Sequence, residues 1–170
     1  MDAIREAIEG ARAYLREHPG EARYTDSSAT ASIDSGLRVH VSGPAGEVVM
    51  TDMPQAVGGG GAGATPGWLS RAAVAACVAS LLGMRGAVTG IDVSDVEVIV
   101  DSESDDRGIL GLDDAVPAGP LNARIVIRYG AATRAAHGRD RLEDLARWAV
   151  DHCPASEALG RAVPVVLEVT

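Results

Sequence analysis

Two cysteines are the residues of this 170-residue chain whose chemistry is least replaceable, Cys77 and Cys153. Cys77 falls in Thr65–Arg85, TPGWLSRAAVAACVASLLGMR, and Cys153 opens CPAS after an amphipathic stretch. As residues alone they admit three uses. They can be inert core thiols, since free Cys is among the most buried residue types. They can be metal ligands, although no CxxC or Cys/His cluster supports a metal, and none is expected. They can be a redox pair, one thiolate attacking a peroxide and the other resolving the sulfenic acid. A local feature favours reactivity at Cys153: it precedes a short helical turn, where unpaired N–H groups stabilise a thiolate. His152 beside it offers no Cys–His nucleophile, because adjacent residues on a helix or strand point apart.

The elements that must position these thiols can be read from local signals. Thr65 suits an N-cap and Pro66 the first helical turn, so a helix of roughly 30 Å is expected to begin there. Its nearly continuous apolar, Ala-rich sequence predicts burial on most sides, with Gly86–Gly90 ending it. Residues 2–17 form a further expected helix, with Ile4, Ile8, Ala11 and Leu15 on one stripe and His18-Pro19-Gly20 as its stop. Three strands then follow as a β-meander: a weak alternation over Arg23–Ile33, a second strand with Leu37, Val39 and Val41 after the Asp34-Ser35-Gly36 turn, and Glu47–Thr51. The Gly-rich stretch before the central helix, GGGGAGA, lacks the Gly-Lys-Ser/Thr of a phosphate loop and reads as a connection.

Beyond the central helix, Val93–Val100 and Leu121–Tyr129 read as strands. Asp101–Gly111 reads as a solvated acidic turn. Asp101, Glu103 and Asp105 open like an EF-hand loop, but Asp106 and Leu112 stand where Gly and Glu are required. Arg139–His152 predicts an amphipathic helix, Ser156–Arg161 a short helical turn, and Val163–Val169 a closing strand. His18, His40 and His137 sit beside turn or strand signals and are expected at the surface.

Composition bounds the function classes. Hydrophobic residues make up 46% and charged residues 23%, as in an ordinary soluble domain, while aromatics reach only 3% with no Phe. Val, Leu, Ile and Ala must therefore fill the core. The net charge of −9 disfavours nucleic acid and anionic membrane as partners. Arg71 and Arg85 bracket the central apolar run, so no membrane span is expected. The N-terminus lacks an apolar signal core, which predicts a cytoplasmic protein with reduced thiols.

The order of these motifs resembles the OsmC/Ohr family, the osmotically inducible and organic-hydroperoxide-resistance proteins. The matching residues are Thr65, Pro66, Leu69, Ala72, Ala73, Ala75, Ala76 and Cys77, then Cys153, Pro154 and Ser156. On this basis residues 1–20 are a helical extension and 21–170 an OsmC-like domain. The resemblance implies an α+β fold: an antiparallel β-meander, a long central helix, further strands, a second helix, and an intertwined homodimer with its central helices packed together. It also implies thiol-dependent reduction of organic hydroperoxides without a cofactor, supported by a thiol reductant. Cys77 would be the peroxidatic cysteine and Cys153 the resolving one. The family's peroxidases carry a Glu directly after the helix-start Pro, which orients an Arg; here Gly67 and Trp68 follow instead. Arg71, Arg85 and Arg107 are the replacement cations. At about 100° per residue Arg85 lies about 80° from Cys77 and Arg71 about 120°, which favours Arg85. Trp68 could wall an apolar substrate pocket. The rival reading keeps the fold and pocket as a small-molecule binding or sensing protein without peroxidase activity.

Overall fold

A computed structural model describes all 170 residues. The chain divides into two compact units, residues 10–70 and residues 1–9 with 71–170. Helix α1 (Asp2–Glu17) and helix α2 (Pro66–Thr89) each carry residues of both. The α+β class is as expected.

Residues 10–70 hold an antiparallel sheet in the order β1 (Thr30–Ser35), β2 (Arg38–Ser42), β3 (Val48–Thr51). Gly36 makes the β1–β2 turn at a φ of 59°, a left-handed conformation that glycine enters without a Cβ clash. The expected strand at Arg23–Ile33 is displaced: residues 23–29 do not pair, and β1 begins at Thr30 opposite Ser42. Small polar residues gave that alternation little to bury, and the pairing register with β2 decides where the strand starts.

The Gly-rich connection is ordered by one carboxylate. Asp52, only 3% exposed, accepts backbone N–H bonds from Met53, Gly60 and Ala62. The Ala62 bond is the largest influence on its acidity. With those from Met53 and Gly60 and the charge of Arg38 it outweighs burial, which acts the other way, and holds the carboxyl below its usual range. A depressed folded-state pKa contributes stability above the unfolded value and loses it as pH falls. Wild-type protein is therefore expected to lose stability below pH ~4. Asp52→Asn should be less stable at neutral pH and show a shallower acid limb in urea midpoints; identical acid limbs would remove this role.

In residues 71–170 the core is a seam between two helices. Val74, Val78 and Leu82 recur at four-residue spacing on α2, and Leu142, Leu145 and Ala149 line one face of α5 (Arg139–Asp151). Ile91 and Cys153 complete the buried cluster. Strands β4 (Glu97–Glu103) and β5 (Asn122–Arg128) pack on it through Val98 opposite Ile127 and Val100 opposite Ile125. The other face of this two-stranded sheet is charged: Asp101 pairs with Arg124 at 2.6 Å and Glu97 with Arg128 at 3.0 Å. The strand expected at Val93–Val100 thus starts at Glu97 and runs into the acidic stretch, because its carboxylates alternate outward and find cross-strand arginines. After Glu103 the rest of that stretch does turn, with Asp106–Ile109 as the short helix α3, Asp105 capping it and chelating Arg107, and Leu110-Gly111 as a turn. Helices α4 (Ala131–Ala136), unanticipated from sequence, and α6 (Pro154–Gly160) complete the order.

Three further expectations are corrected. Helix α2 continues past Arg85 to Thr89, where Gly90 at a φ of 70° ends it. By length and composition alone it is apolar enough to cross a membrane although Arg71 and Arg85 both lie within it, a test that the core helix of a soluble protein passes equally. That stripe is narrow, and Ala73, Ala76, Ser80 and Met84 on α2 are exposed, so the helix is not buried on most sides. Val163–Val169 pairs with no strand, and Val165, Val166, Leu167 and Val169 are 84–90% exposed.

A candidate thiol-pair site on α2 and α6

The two cysteines reach one another from opposite sides of the core seam. Cys77 stands on α2, three residues after Val74 and one before Val78, and so flanks the buried stripe as a half-buried thiol. Cys153 is wholly buried, at the point where Pro154 ends one helical register and starts another. Its backbone leaves helical geometry, and its Sγ accepts the Ser156 N–H at 3.3 Å as the N-cap of α6. Ser156 is itself anchored, its hydroxyl donating to the Val150 carbonyl at 2.7 Å. Both thiols are free, and they adjoin closely enough to share a hydrogen bond.

Their environments push the two acidities apart. Burial raises Cys77, the bond to Cys153 raises it further, and the Ala155 N–H only partly offsets them, so the net direction is up. Burial also opposes ionisation of Cys153, but the bonds from Cys77, Ser156 and Ala155 outweigh it and bring that thiol down. Cys153 is therefore the more acidic thiol of the pair and Cys77 the less acidic.

The replacement cations are all engaged elsewhere. The Arg85 guanidinium lies 5.0 Å from the centroid of the Trp148 ring, a cation–π contact, and lines a cavity to which neither cysteine contributes. Arg71 donates to the Ser102 hydroxyl at 3.3 Å, and Arg107 is held by Asp105 at 2.6 Å. Trp68 is 52% exposed in the first turn of α2, where its N–H bonds to the capping Thr65 hydroxyl at 3.1 Å. The helix start is thus capped as expected, and Gly67 places no carboxylate there. The residues missed from sequence are Ala155 and Ser156 as N–H donors; the CPxS pattern, with Pro at the first helical position, is the signal that reveals them.

Comparison with known proteins follows the same residues. The OsmC-like protein family model matches residues 58–168, spanning α2 and both cysteines. The chain belongs to the OsmC-like protein family. Solved structures similar to this OsmC-like chain include an organic hydroperoxide resistance protein from Legionella pneumophila, at 24% identity and a TM-score of 0.59 over 81% of this chain and 90% of that one. The organic hydroperoxide resistance protein OhrB of Bacillus subtilis matches at 22% identity and a TM-score of 0.52, over 79% and 90% of the two chains. An OsmC-like protein from Mycoplasma pneumoniae reaches a TM-score of 0.66 at 12% identity, over 81% and 89%. At these identities the likeness is one of fold. Comparison with curated protein sequences found no match.

Proposed function

We propose that this OsmC-like protein is a thiol-dependent peroxidase that reduces organic hydroperoxides through Cys77 and Cys153. The supporting observation is the adjoining thiol pair, one sulfur half-exposed and the other buried as a helix cap. Relatives of the same fold carry the name organic hydroperoxide resistance protein. Cys77 is the sulfur a peroxide can reach. Once the pair has lost one proton, transfer of the remaining one from Cys77 to Cys153 leaves a Cys77 thiolate. That thiolate attacks the terminal peroxide oxygen, the O–O bond breaks, and the alkoxide takes a proton from solvent to leave as the alcohol. Cys77 is then a sulfenic acid. The Cys153 sulfur attacks it, water departs with the Cys153 proton, and a Cys77–Cys153 disulfide forms. An external thiol reductant returns both sulfurs to the reduced state. Gly67 places no Glu at the helix start to orient an Arg, and this scheme uses none.

The proposal includes a cytoplasmic homodimer, in which a second α2 would cover the exposed Ala73, Ala76, Ser80 and Met84 stripe; small residues permit that close approach. A sedimentation mass of one chain would remove that part. The decisive experiment is free-thiol counting by mass spectrometry before and after one equivalent of cumene hydroperoxide. Loss of two thiols with a Cys77–Cys153 crosslinked peptide is expected. Persistence of both thiols would favour the rival, a binding or sensing protein that kept the fold; Gly67 and the engaged arginines are the features that recommend it.

A further inference from the structure

We infer that a cavity between β5 and the first turns of α5 is a second ligand site, built for an amphipathic monocarboxylate. The inference is independent of the thiol chemistry, since neither cysteine lines this cavity. It encloses about 450 Å³, within the ~300–1,000 Å³ usual for small-molecule sites. Its apolar lining comes from Ile127 and Tyr129 on the sheet side and Leu142 and Ala146 on the helix side. The Tyr129 hydroxyl, the one polar group among those four side chains, is already committed to the Leu142 carbonyl at 3.0 Å. Burial pushes its pKa up to about 12, so it stays neutral. The body of a ligand here must therefore be apolar.

The rim supplies one unbalanced charge. Arg139 and Glu143 neutralise each other at 2.5 Å. Arg134 donates to the Tyr129 carbonyl, which holds the guanidinium at the rim without cancelling it, and no carboxylate lies within ion-pair range of it. A guanidinium has five N–H donors in a planar fork suited to a carboxylate, and one carbonyl bond leaves most of them free. His137 stands at the same rim, half-buried instead of on the open surface as its turn context suggested. The rim also meets the start of α5, whose N-cap, Gly138, brings no side-chain oxygen to the first N–H groups. In a chain of net charge −9, an uncompensated Arg beside an apolar cavity selects an anion with a hydrocarbon body. A neutral apolar molecule would leave the guanidinium facing its edge, and a polyanion would meet Glu143.

Octanoate is the probe, followed by calorimetry and by methyl chemical shifts on full-length protein, with octan-1-ol as its uncharged counterpart. Saturable octanoate binding is expected, with shifts at Ile127, Leu142 and Ala146. Exposed Arg134→Gln should weaken octanoate about ten- to a hundredfold, the worth of a charged hydrogen-bonded contact, and leave octan-1-ol unchanged. Ala146→Phe should abolish binding of both by filling the cavity, with its circular dichroism melt checking the fold. The inference is overturned if octanoate shows no saturable binding, if Arg134→Gln leaves it unchanged, or if the shifts centre on α2 around Cys77.

Discussion

Cys77→Ser is expected to abolish turnover of cumene hydroperoxide, lowering kcat/KM by about a thousandfold or more, as removal of a nucleophile does. Cys153→Ser should behave differently. The exposed sulfur remains, so the protein should still form a Cys77 sulfenic acid, trapped by dimedone and located by mass spectrometry. Its formation should not slow, because the bond to Cys153 is one of the influences that raise the Cys77 thiol, and its loss brings Cys77 closer to ionisation. The variant should stop after one turnover, with no partner to displace water from the sulfenic acid. The asymmetry follows from position: Cys77 flanks the buried stripe of α2 and meets solvent, whereas Cys153 is sealed beneath α6 with its sulfur bonded to Ser156. A dimedone adduct on Cys153 in the Cys77→Ser protein, formed at the wild-type rate, would reverse the two roles. The pH dependence of alkylation in the wild type adds a second reading. Cys77 should react with iodoacetamide only on the alkaline side of an ordinary thiol, because its pKa is raised.

Leu82→Ala should be the most costly single change to the fold itself. Leu82 is fully buried in the α2–α5 seam, in the same cluster as Ile91, Leu142, Leu145 and Ala149. Removing a buried leucine side chain costs about 2–5 kcal/mol, the larger values belonging to sites that cannot collapse. This site has little room to do so. One turn further along α2, Gly86 accepts the Ile91 N–H at 2.9 Å, and a Cβ there would lie 2.6 Å from the Ile91 carbonyl oxygen. The backbone after α2 is thus folded back tightly against the helix, and it cannot move inward to fill the space. Since a domain holds only about 5–15 kcal/mol in total, the variant should shift its urea midpoint severely at unchanged m-value. A loss below about 1 kcal/mol would mean the seam repacks freely, contrary to its backbone constraint.

What the sequence alone determined is what short-range chemistry determines. Thr65 and Pro66 start α2 because a hydroxyl and an absent N–H suit the first turn, and Cys153-Pro154 starts α6 for the same reason. The period of Leu142, Leu145 and Ala149 marks the buried face of α5. The order of these motifs then carried the family, which the match over residues 58–168 established. Where a strand begins, by contrast, depends on a partner distant in the chain. That is why β1 and β4 start later than their alternation suggests, and why Val163–Val169, strand-like in sequence, stays unpaired. The same limit governs the site. Sequence puts Cys77 and Cys153 on separate helices and ranks Arg85 by angle along one of them. Only the packing of α5 and α6 brings the sulfurs together, turns Arg85 onto Trp148, and makes Cys153 the more acidic thiol of the two. Acidity is a property of neighbours: the CPxS pattern encodes the N–H groups around Cys153, whereas the second thiol is brought there only by packing.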